Sequence, residues 1–563
     1  MLQASGPEWR LRRAYCGTSC SMSNHAGTAR IAGLPADLDG VATRHERLTR
    51  WLLFLGYIAI VVFTAAHHEM WRDEVRALSV AQDGSLPELF GELKYEGHPA
   101  VWYLLLRTGY LLTGSRLVLP ALSLIVAAAA VYLLLRFSPF SWPQKSLLVL
   151  GVFPVFEYSV VARNYGLGML LIVILAMLYP TRLQRPVWWG ILLALLANTS
   201  IHAAIIAVAV MAGTGWDLLV AWRAGVSRPT GQLRPRRVWL GATIAVAGLI
   251  AARATVSTHR LPNESGEMPR VRTVAHQMAL SALNPGRFLG ALVPSPTDEL
   301  ANTYRQVSPS TPQAIVIDVI LLLMVAGLWG EWSLLLIMIT AFGASGALFR
   351  TVYGAYMRHL GLLWFLLILV YWQLARRQRP GADLPGSQRR RLLWFVTLPL
   401  TAVMLLQAIE GVRRVRQDVT TSLSSSAAMG RLLQEPEYRD ATVLSSGDNL
   451  LEALPYYGAR RLYLHSQLRY DTHRRFDFPF HGDRSLLALV TVVDSLGRVI
   501  RGPILILVPD SAMARAPEQV AARLRASTVA IANLAPAVSD ESYRVYRLRT
   551  AADTMPGSTQ HQP

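Results

Sequence analysis

Leu117-Val-Leu-Pro-Ala-Leu-Ser-Leu-Ile-Val-Ala-Ala-Ala-Ala-Val-Tyr-Leu-Leu-Leu-Arg136 has no charged side chain before its last residue. At about 1.5 Å per residue it makes a helix roughly 30 Å long, the thickness of a bilayer's hydrocarbon core. It is apolar all round, which suits lipid or a bundle interior rather than a soluble surface. Comparable runs lie at about 51–66, 99–113, 146–161, 165–179, 187–198, 200–215, 238–252, 314–330, 332–348, 356–374 and 392–409. Several are shorter than a full crossing requires, and broken segments of this kind are tolerated where they line a cavity. The expected fold is mostly α: a polytopic helical membrane bundle of about 11–13 segments, with a small C-terminal extracytoplasmic α/β domain.

Composition agrees. Of 563 residues, 52% are hydrophobic and 16% charged, against about 25% charged in soluble domains. The net charge of +19 fits Arg-rich cytoplasmic loops and anionic lipid headgroups. There is no nucleic-acid-binding motif. Arg44, Arg47 and Arg50, then Arg182 and Arg185, then Arg223, Arg228, Arg234, Arg236 and Arg237, and finally the basic stretch 375–391 mark cytoplasmic segments, leaving 67–98, 253–312 and the C-terminal region outside. Four apolar runs separate the outside loop 67–98 from the cytoplasmic loop 180–186, where an odd number of crossings is required. One of them is therefore expected to be a half-helix or to lie along the interface.

Residues 1–48 read as a disordered cytoplasmic tail rather than a signal peptide. Cys16 and Cys20 within it are a weak metal signal. Residues 49–410 form the bundle, and 411–440 a linker or amphipathic stalk. In 441–550, strands are expected at Ala441–Ser446, Arg461–His465 and Pro503–Val508, with helices at Asn449–Tyr457 and Leu486–Val499. Such alternation suggests a small α/β domain, read as a non-catalytic accessory. Residues 551–563 read as a disordered tail.

The chemistry concentrates in the first outside loop. It opens with Met70-Trp71-Arg72-Asp73-Glu74-Val75-Arg76 and closes with Tyr95-Glu96-Gly97-His98-Pro99 as the next apolar run begins. Adjacent carboxylates flanked by Arg72 and Arg76 read either as a solvated ion-pair cluster or as a catalytic base. His98 is expected at a helix N-terminus, with Pro99 at the first helical position, where exposed N–H groups favour an anion. A base and an anion site in one loop suit transfer of a sugar from a lipid phosphate: the base takes the acceptor's proton, and positive charge stabilises the departing phosphate. One base suffices for inversion. Asp73 and Glu74 are adjacent and point apart, so Asp73 is assigned as base and Glu74 to a structural, substrate-contacting or metal-binding role. No cofactor is certain, and a divalent metal at Asp73 and Glu74 stays open.

These elements resemble the GT-C superfamily of membrane glycosyltransferases, in particular the protein O-mannosyltransferase and aminoarabinose transferase group. The likeness rests on Trp-x-Asp-Glu after the first span, His98-Pro99-Ala-Val-Trp102-Tyr103, Tyr158-Ser159-Val-Val-Ala162-Arg163-Asn164-Tyr165, His202 at a polar break, and Tyr356-Met-Arg358-His359. It covers about residues 51–410. It implies a polyprenyl-phosphate sugar donor, inverting transfer to a glycan, lipid or protein hydroxyl, and a site on the outer face of a bacterial-type inner membrane. It implies Asp73 as base and His98 as a donor-phosphate contact. Arg163, Arg358 and, by nearness alone, Lys94 are further candidate phosphate contacts. Glu74, Tyr165, His202 and His359 are candidate substrate contacts. Where some relatives carry a second acidic residue, this chain has the neighbourhood of Asn164 and Tyr165. Two other readings compete: a transporter or flippase for a lipid-linked or anionic substrate, and a non-enzymatic membrane scaffold. The former lacks the internal hydropathy repeat that many transporters have.

Overall fold

A computed structural model describes residues 43–223, 235–255, 275–276, 278–281, 285–294, 309–352, 354–377, 393–475, 485–534 and 537–550. The N-terminal tail to residue 42, with Cys16 and Cys20, most of the outside loop 253–312, and the C-terminal tail lie outside the described residues.

The chain is mostly helical. The first helix, α1 (Arg44–His67), begins well before the apolar run at 51, because Thr43 and Glu46 form a capping box that satisfies the orphan N–H groups of the first turn. The expected tail boundary at residue 48 is thus too late. Next come α2 (Arg72–Gln82), α3 (Leu86–Glu96), α4 (Val101–Thr113), α5 (Val118–Phe137), α6 (Trp142–Val149), α7 (Tyr165–Leu178), α8 (Pro186–Ala197), α9 (Ile201–Arg223) and α10 (Pro235–Thr255). They are followed by α11 (Thr311–Gly327), α12 (Trp332–Thr351), α13 (Met357–Arg377) and α14 (Leu398–Thr420). Among the described residues, 7 helices are long and apolar enough to cross a membrane. Their outer faces carry bare aliphatic residues such as Leu52, Leu55, Ile125, Ile250 and Ile339, a surface suited to lipid rather than water.

The core of the bundle is α13, whose residues from His359 to Leu374 are all buried. Close helix approach is set by small residues: a Cβ on Gly190 of α8 would lie 2.1 Å from the Gly241 carbonyl oxygen of α10, so only backbone fits there. Gly190→Leu is expected to force these helices apart and cost about 3 kcal/mol, read as a lower melting temperature in detergent.

Two of the four runs between 99 and 179 depart from simple spans. The run at 146–161 is broken: α6 ends at Val149, a π-helical turn comes next at Phe153–Glu157 around Pro154, and the backbone is unwound up to Asn164. The run at 99–113 forms α4, about 20 Å long. Its Trp102, Tyr103 and Leu106 join a separate apolar cluster with Met70, with Val75 and Leu78 of α2, and with Leu89 and Leu93 of α3. Val101 is the residue of this run that packs against the main core.

The polar stretch at 411–420 is not a loop linker. It continues α14 as helix and buries Arg414 and Asp418, with Glu410 buried one turn earlier. A short helix, α15 (Ser426–Leu432), leads into a six-stranded mixed sheet of order β3-β2-β1-β4-β6-β5. Its strands are β1 (Thr442–Ser445), β2 (Arg461–Leu464), β3 (Arg469–Tyr470), β4 (Ile504–Val508), β5 (Thr528–Asn533) and β6 (Arg544–Leu548). β1 runs parallel to β2 and β4, and the other pairs are antiparallel. The central strands are buried on both faces: Val443, Leu505 and Leu507 pack with Met429 and Leu451, while Leu444, Ile504 and Ile506 pack with Leu489, Val493 and Leu524 of the opposite layer. The helix expected at Asn449–Tyr457 is instead a 3-10 turn at Asp448–Leu450 leading into irregular turns. That irregular segment docks on the loop: Ala453 enters the apolar cluster of α2 to α4, and the Tyr457 hydroxyl donates to the Met70 carbonyl at 3.1 Å.

Candidate functional site

Unwound backbone inside a bundle needs partners for its N–H groups. Glu74 supplies one. Its fully buried carboxylate accepts from the Ala162 N–H at 2.6 Å, from the Trp71 N–H at 3.3 Å, and meets His68 Nε2 at 3.1 Å. His68 in turn bonds Asp418 of α14 through Nδ1 at 2.9 Å. Burial would lower the imidazole's pKa, but Asp418 and Glu74 outweigh it and hold it well above its usual value. The chain Asp418–His68–Glu74 therefore braces residue 162, and residue 163 is next along the backbone.

Arg163 is thereby aimed at Asp73. Its Nη1 lies 2.5 Å from Asp73 Oδ2, and Arg358 Nη1, from the first turn of α13, lies 3.2 Å from the same oxygen. Arg358 is placed by its own backbone, whose carbonyl accepts from the Tyr158 hydroxyl at 2.6 Å. Arg72 adds a third guanidinium at 3.8 Å. Burial would raise the Asp73 carboxyl's pKa, yet Arg163, Arg358 and Arg72 hold it far below the usual carboxylate range. The Asp73 side chain remains 26% exposed, so it is reachable from the adjoining pocket.

His98 reaches the same group, with Nε2 3.4 Å from Arg163 Nη2 and its ring edge-on to Tyr165. Burial, then Arg163, His202 and Arg358, pushes its pKa down to about 3, so the imidazole is neutral near pH 7. Since Arg163 can only donate, Nε2 accepts, which places the His98 proton on Nδ1. That nitrogen is buried and has no partner among the described residues. The expected helix-terminus geometry is not seen: α4 starts at Val101, two residues beyond Pro99, and the Val101 N–H donates to the Asn198 carbonyl at 3.3 Å.

Behind this group, Tyr165, His202 and His359 cluster inside the bundle. The two imidazoles stack with centroids 4.2 Å apart, and Tyr165 lies 5.7 Å from His359. Lys94 is exposed on α3 and lies outside the pocket that holds Asp73 and Arg163. Asp73 and Glu74 turn to different partners and do not converge on one metal position. Among the described residues, the group with metal-ligand spacing is Asp83, Asp471 and His473. It lies in a separate cavity of about 460 Å³, where Arg469 and Arg475 already pair with Asp471 and Glu92.

The pocket over Asp73 has a volume of about 210 Å³. It is walled by Arg72, Arg76, Glu96, His98 and Arg163 on one side and by Asn449, Glu452 and Arg474 on the other. The C-terminal domain therefore helps to build it. Arg76 is the fastener, pairing with Glu96 at 2.5 Å and Glu452 at 2.7 Å, and donating to the Arg474 carbonyl at 2.8 Å. No short-range signal marks Asn449, Glu452 or Arg474 in the sequence, because they join the loop only through tertiary docking.

No protein-family model matches this chain. No curated protein matches it in sequence either. Chemical assignment therefore rests on the residues themselves.

A second junction adds a pH dependence. Glu541 is fully buried, accepts from the Arg72 N–H at 2.9 Å and bonds Ser424. Burial, opposed by Ser424 and Arg72, pushes its pKa up to about 7. The folded protein then holds a proton that the unfolded chain releases near pH 4.3, so stability falls as pH rises from about 4 to about 7. Glu541→Gln is expected to remove that slope in melting curves taken across this range.

Proposed function

We propose that the protein is an inverting glycosyltransferase of GT-C type, which moves a sugar from a polyprenyl-phosphate donor to an acceptor hydroxyl at the outer face of a bacterial-type inner membrane. In this reading the N-terminus is cytoplasmic, the C-terminal domain lies outside, and α4 runs along the outer interface. The parity of crossings between 98 and 180 is then satisfied by α5, the broken segment from α6 to Asn164, and α7. The observation that carries the proposal is the meeting of Asp73, Arg163 and Arg358, from three distant segments, beside a pocket that Asp73 and Arg163 line together with residues of the C-terminal domain.

In the transfer step, the acceptor oxygen attacks the anomeric carbon from the side opposite the phosphate. Asp73 takes its proton as the new C–O bond forms. The old bond to the phosphate oxygen breaks, and that oxygen keeps the electron pair beside Arg163 and Arg358. Preorganised guanidiniums suit this developing charge. His98, neutral, offers its Nδ1–H as a hydrogen-bond donor rather than as a cation. The acceptor is a glycan, lipid or protein hydroxyl entering past Asn449 and Arg474.

The test is mass spectrometry of glycans and glycolipids from cells carrying the gene, lacking it, or carrying Asp73→Asn. A sugar modification present only with the wild-type gene supports the proposal. A transporter reading draws on the same arginines, which would hold a lipid phosphate without a base. It predicts altered flux of a lipid-linked sugar with no new glycosidic product, and that outcome overturns the enzyme reading.

A further inference from the structure

The Asp73 carboxylate, the group assigned to accept a proton, is bound by the two cations assigned to hold phosphate. Both guanidiniums contact the same oxygen, Oδ2, at 2.5 and 3.2 Å. A carboxylate so held is a poor base, because a general base works best when its pKa lies near the working pH. Asp73 instead sits far below that range.

Charge counting points to the way out. Arg72 is balanced by Asp540 at 2.8 Å, so in the empty site the two guanidiniums of Arg163 and Arg358 face one carboxylate, which leaves one positive charge in excess. A phosphodiester brings one negative charge and neutralises the group. During transfer the departing phosphate gains a second negative charge, while Asp73 takes up a proton and becomes neutral. The sum stays at zero throughout, so the step moves no net charge into a partly desolvated pocket, where an unpaired charge is costly.

Resting on the function proposed above, we propose that Asp73 is the resident anion of the Arg163–Arg358 pair and that donor phosphate competes with it for those guanidiniums, so that the base is released only when donor is bound. Donor then binds before acceptor in a compulsory order. Water or a stray hydroxyl in the empty pocket meets a carboxylate already occupied by two arginines. Arg163 and Arg358 thus act twice, first restraining the base and then holding the leaving group. The brace Asp418–His68–Glu74 fixes the backbone at residue 162 while the guanidinium of residue 163 changes partner.

The test titrates farnesyl phosphate into the full-length protein in detergent micelles by isothermal calorimetry, comparing wild type, Asp73→Asn, Arg163→Gln and Asp83→Asn. Removing the competing carboxylate is expected to tighten phosphate binding at least about tenfold, the scale of one charge-assisted hydrogen bond. Asp83→Asn removes the same charge outside the arginine pair and is expected to stay within about twofold. Equal or weaker binding by Asp73→Asn, with wild type binding and Arg163→Gln impaired, overturns the exchange while leaving the phosphate site intact. Equal tightening by Asp83→Asn reduces the effect to long-range charge and also overturns it. Absence of binding in both wild type and Asp73→Asn overturns the exchange and the phosphate reading together. Should Asp73→Asn fail to fold, Asp73→Ser takes its place in the same titration.

Discussion

Asp73→Asn is expected to lower sugar transfer by about 10²–10⁴-fold, the range a positioned general base contributes, while the chain still purifies folded. Asparagine keeps the size of the side chain and one oxygen for Arg163 or Arg358, but it cannot take a proton. The loss should appear in turnover rather than in donor affinity, which the exchange described above expects to improve. Turnover is measured as product formed per enzyme by mass spectrometry, with farnesyl phosphate binding as the companion measurement. A variant that transfers at near the wild-type rate removes Asp73 from the chemistry, whatever its neighbours do.

The neighbouring carboxylate should behave in the opposite way. Glu74→Ala is expected to destabilise the protein by about 3–5 kcal/mol, the usual cost of breaking a buried ionic pair from one side. It strands the His68 imidazolium between one carboxylate and a cavity, and it leaves the Ala162 N–H unpaired. Glu74→Gln keeps an oxygen for Ala162 but turns an NH₂ toward His68 or loses that contact, so an intermediate loss is expected. Melting temperature and yield of monodisperse protein measure both. Any Glu74→Ala protein that survives should also lose phosphate affinity, since the backbone that carries Arg163 is no longer held. A variant as stable as wild type would show that the brace is not needed.

The opposite surroundings of two adjacent acids show what can be read from sequence. Asp73 and Glu74 differ by about 100° around a helix, so their divergence is legible. Which partners each meets is not legible, because His68, Asp418, Arg163 and Arg358 arrive from four places along the chain. The apolar helices are readable from hydropathy alone, since burial in lipid or in a bundle demands the same composition. Their ends are harder to read. Thr43 and Glu46 are a capping box visible in the sequence, yet the polar residues around them resemble a tail. Arg414 and Asp418 make 411–420 look like a linker, although α14 buries Arg414 against Glu410 and Asp418 against His68. Pro99 suggests a helix start, but Asn198 captures the first N–H and α4 begins later. In the C-terminal domain, β1, β2 and β4 are visible as short apolar runs. β5 and β6, with half-exposed residues, are not.

Arg76 has a consequence for how this protein can be taken apart. Its guanidinium ties residue 96, at the far end of the loop, to residues 452 and 474 beyond the last long helix. Cutting the chain after residue 420 would leave that cation beside a single acid and strip one wall from the cavity over Asp73. Any fragment meant to keep this cavity therefore includes the C-terminal domain, and the greasy helices alone, without the last quarter of the chain, do not enclose it.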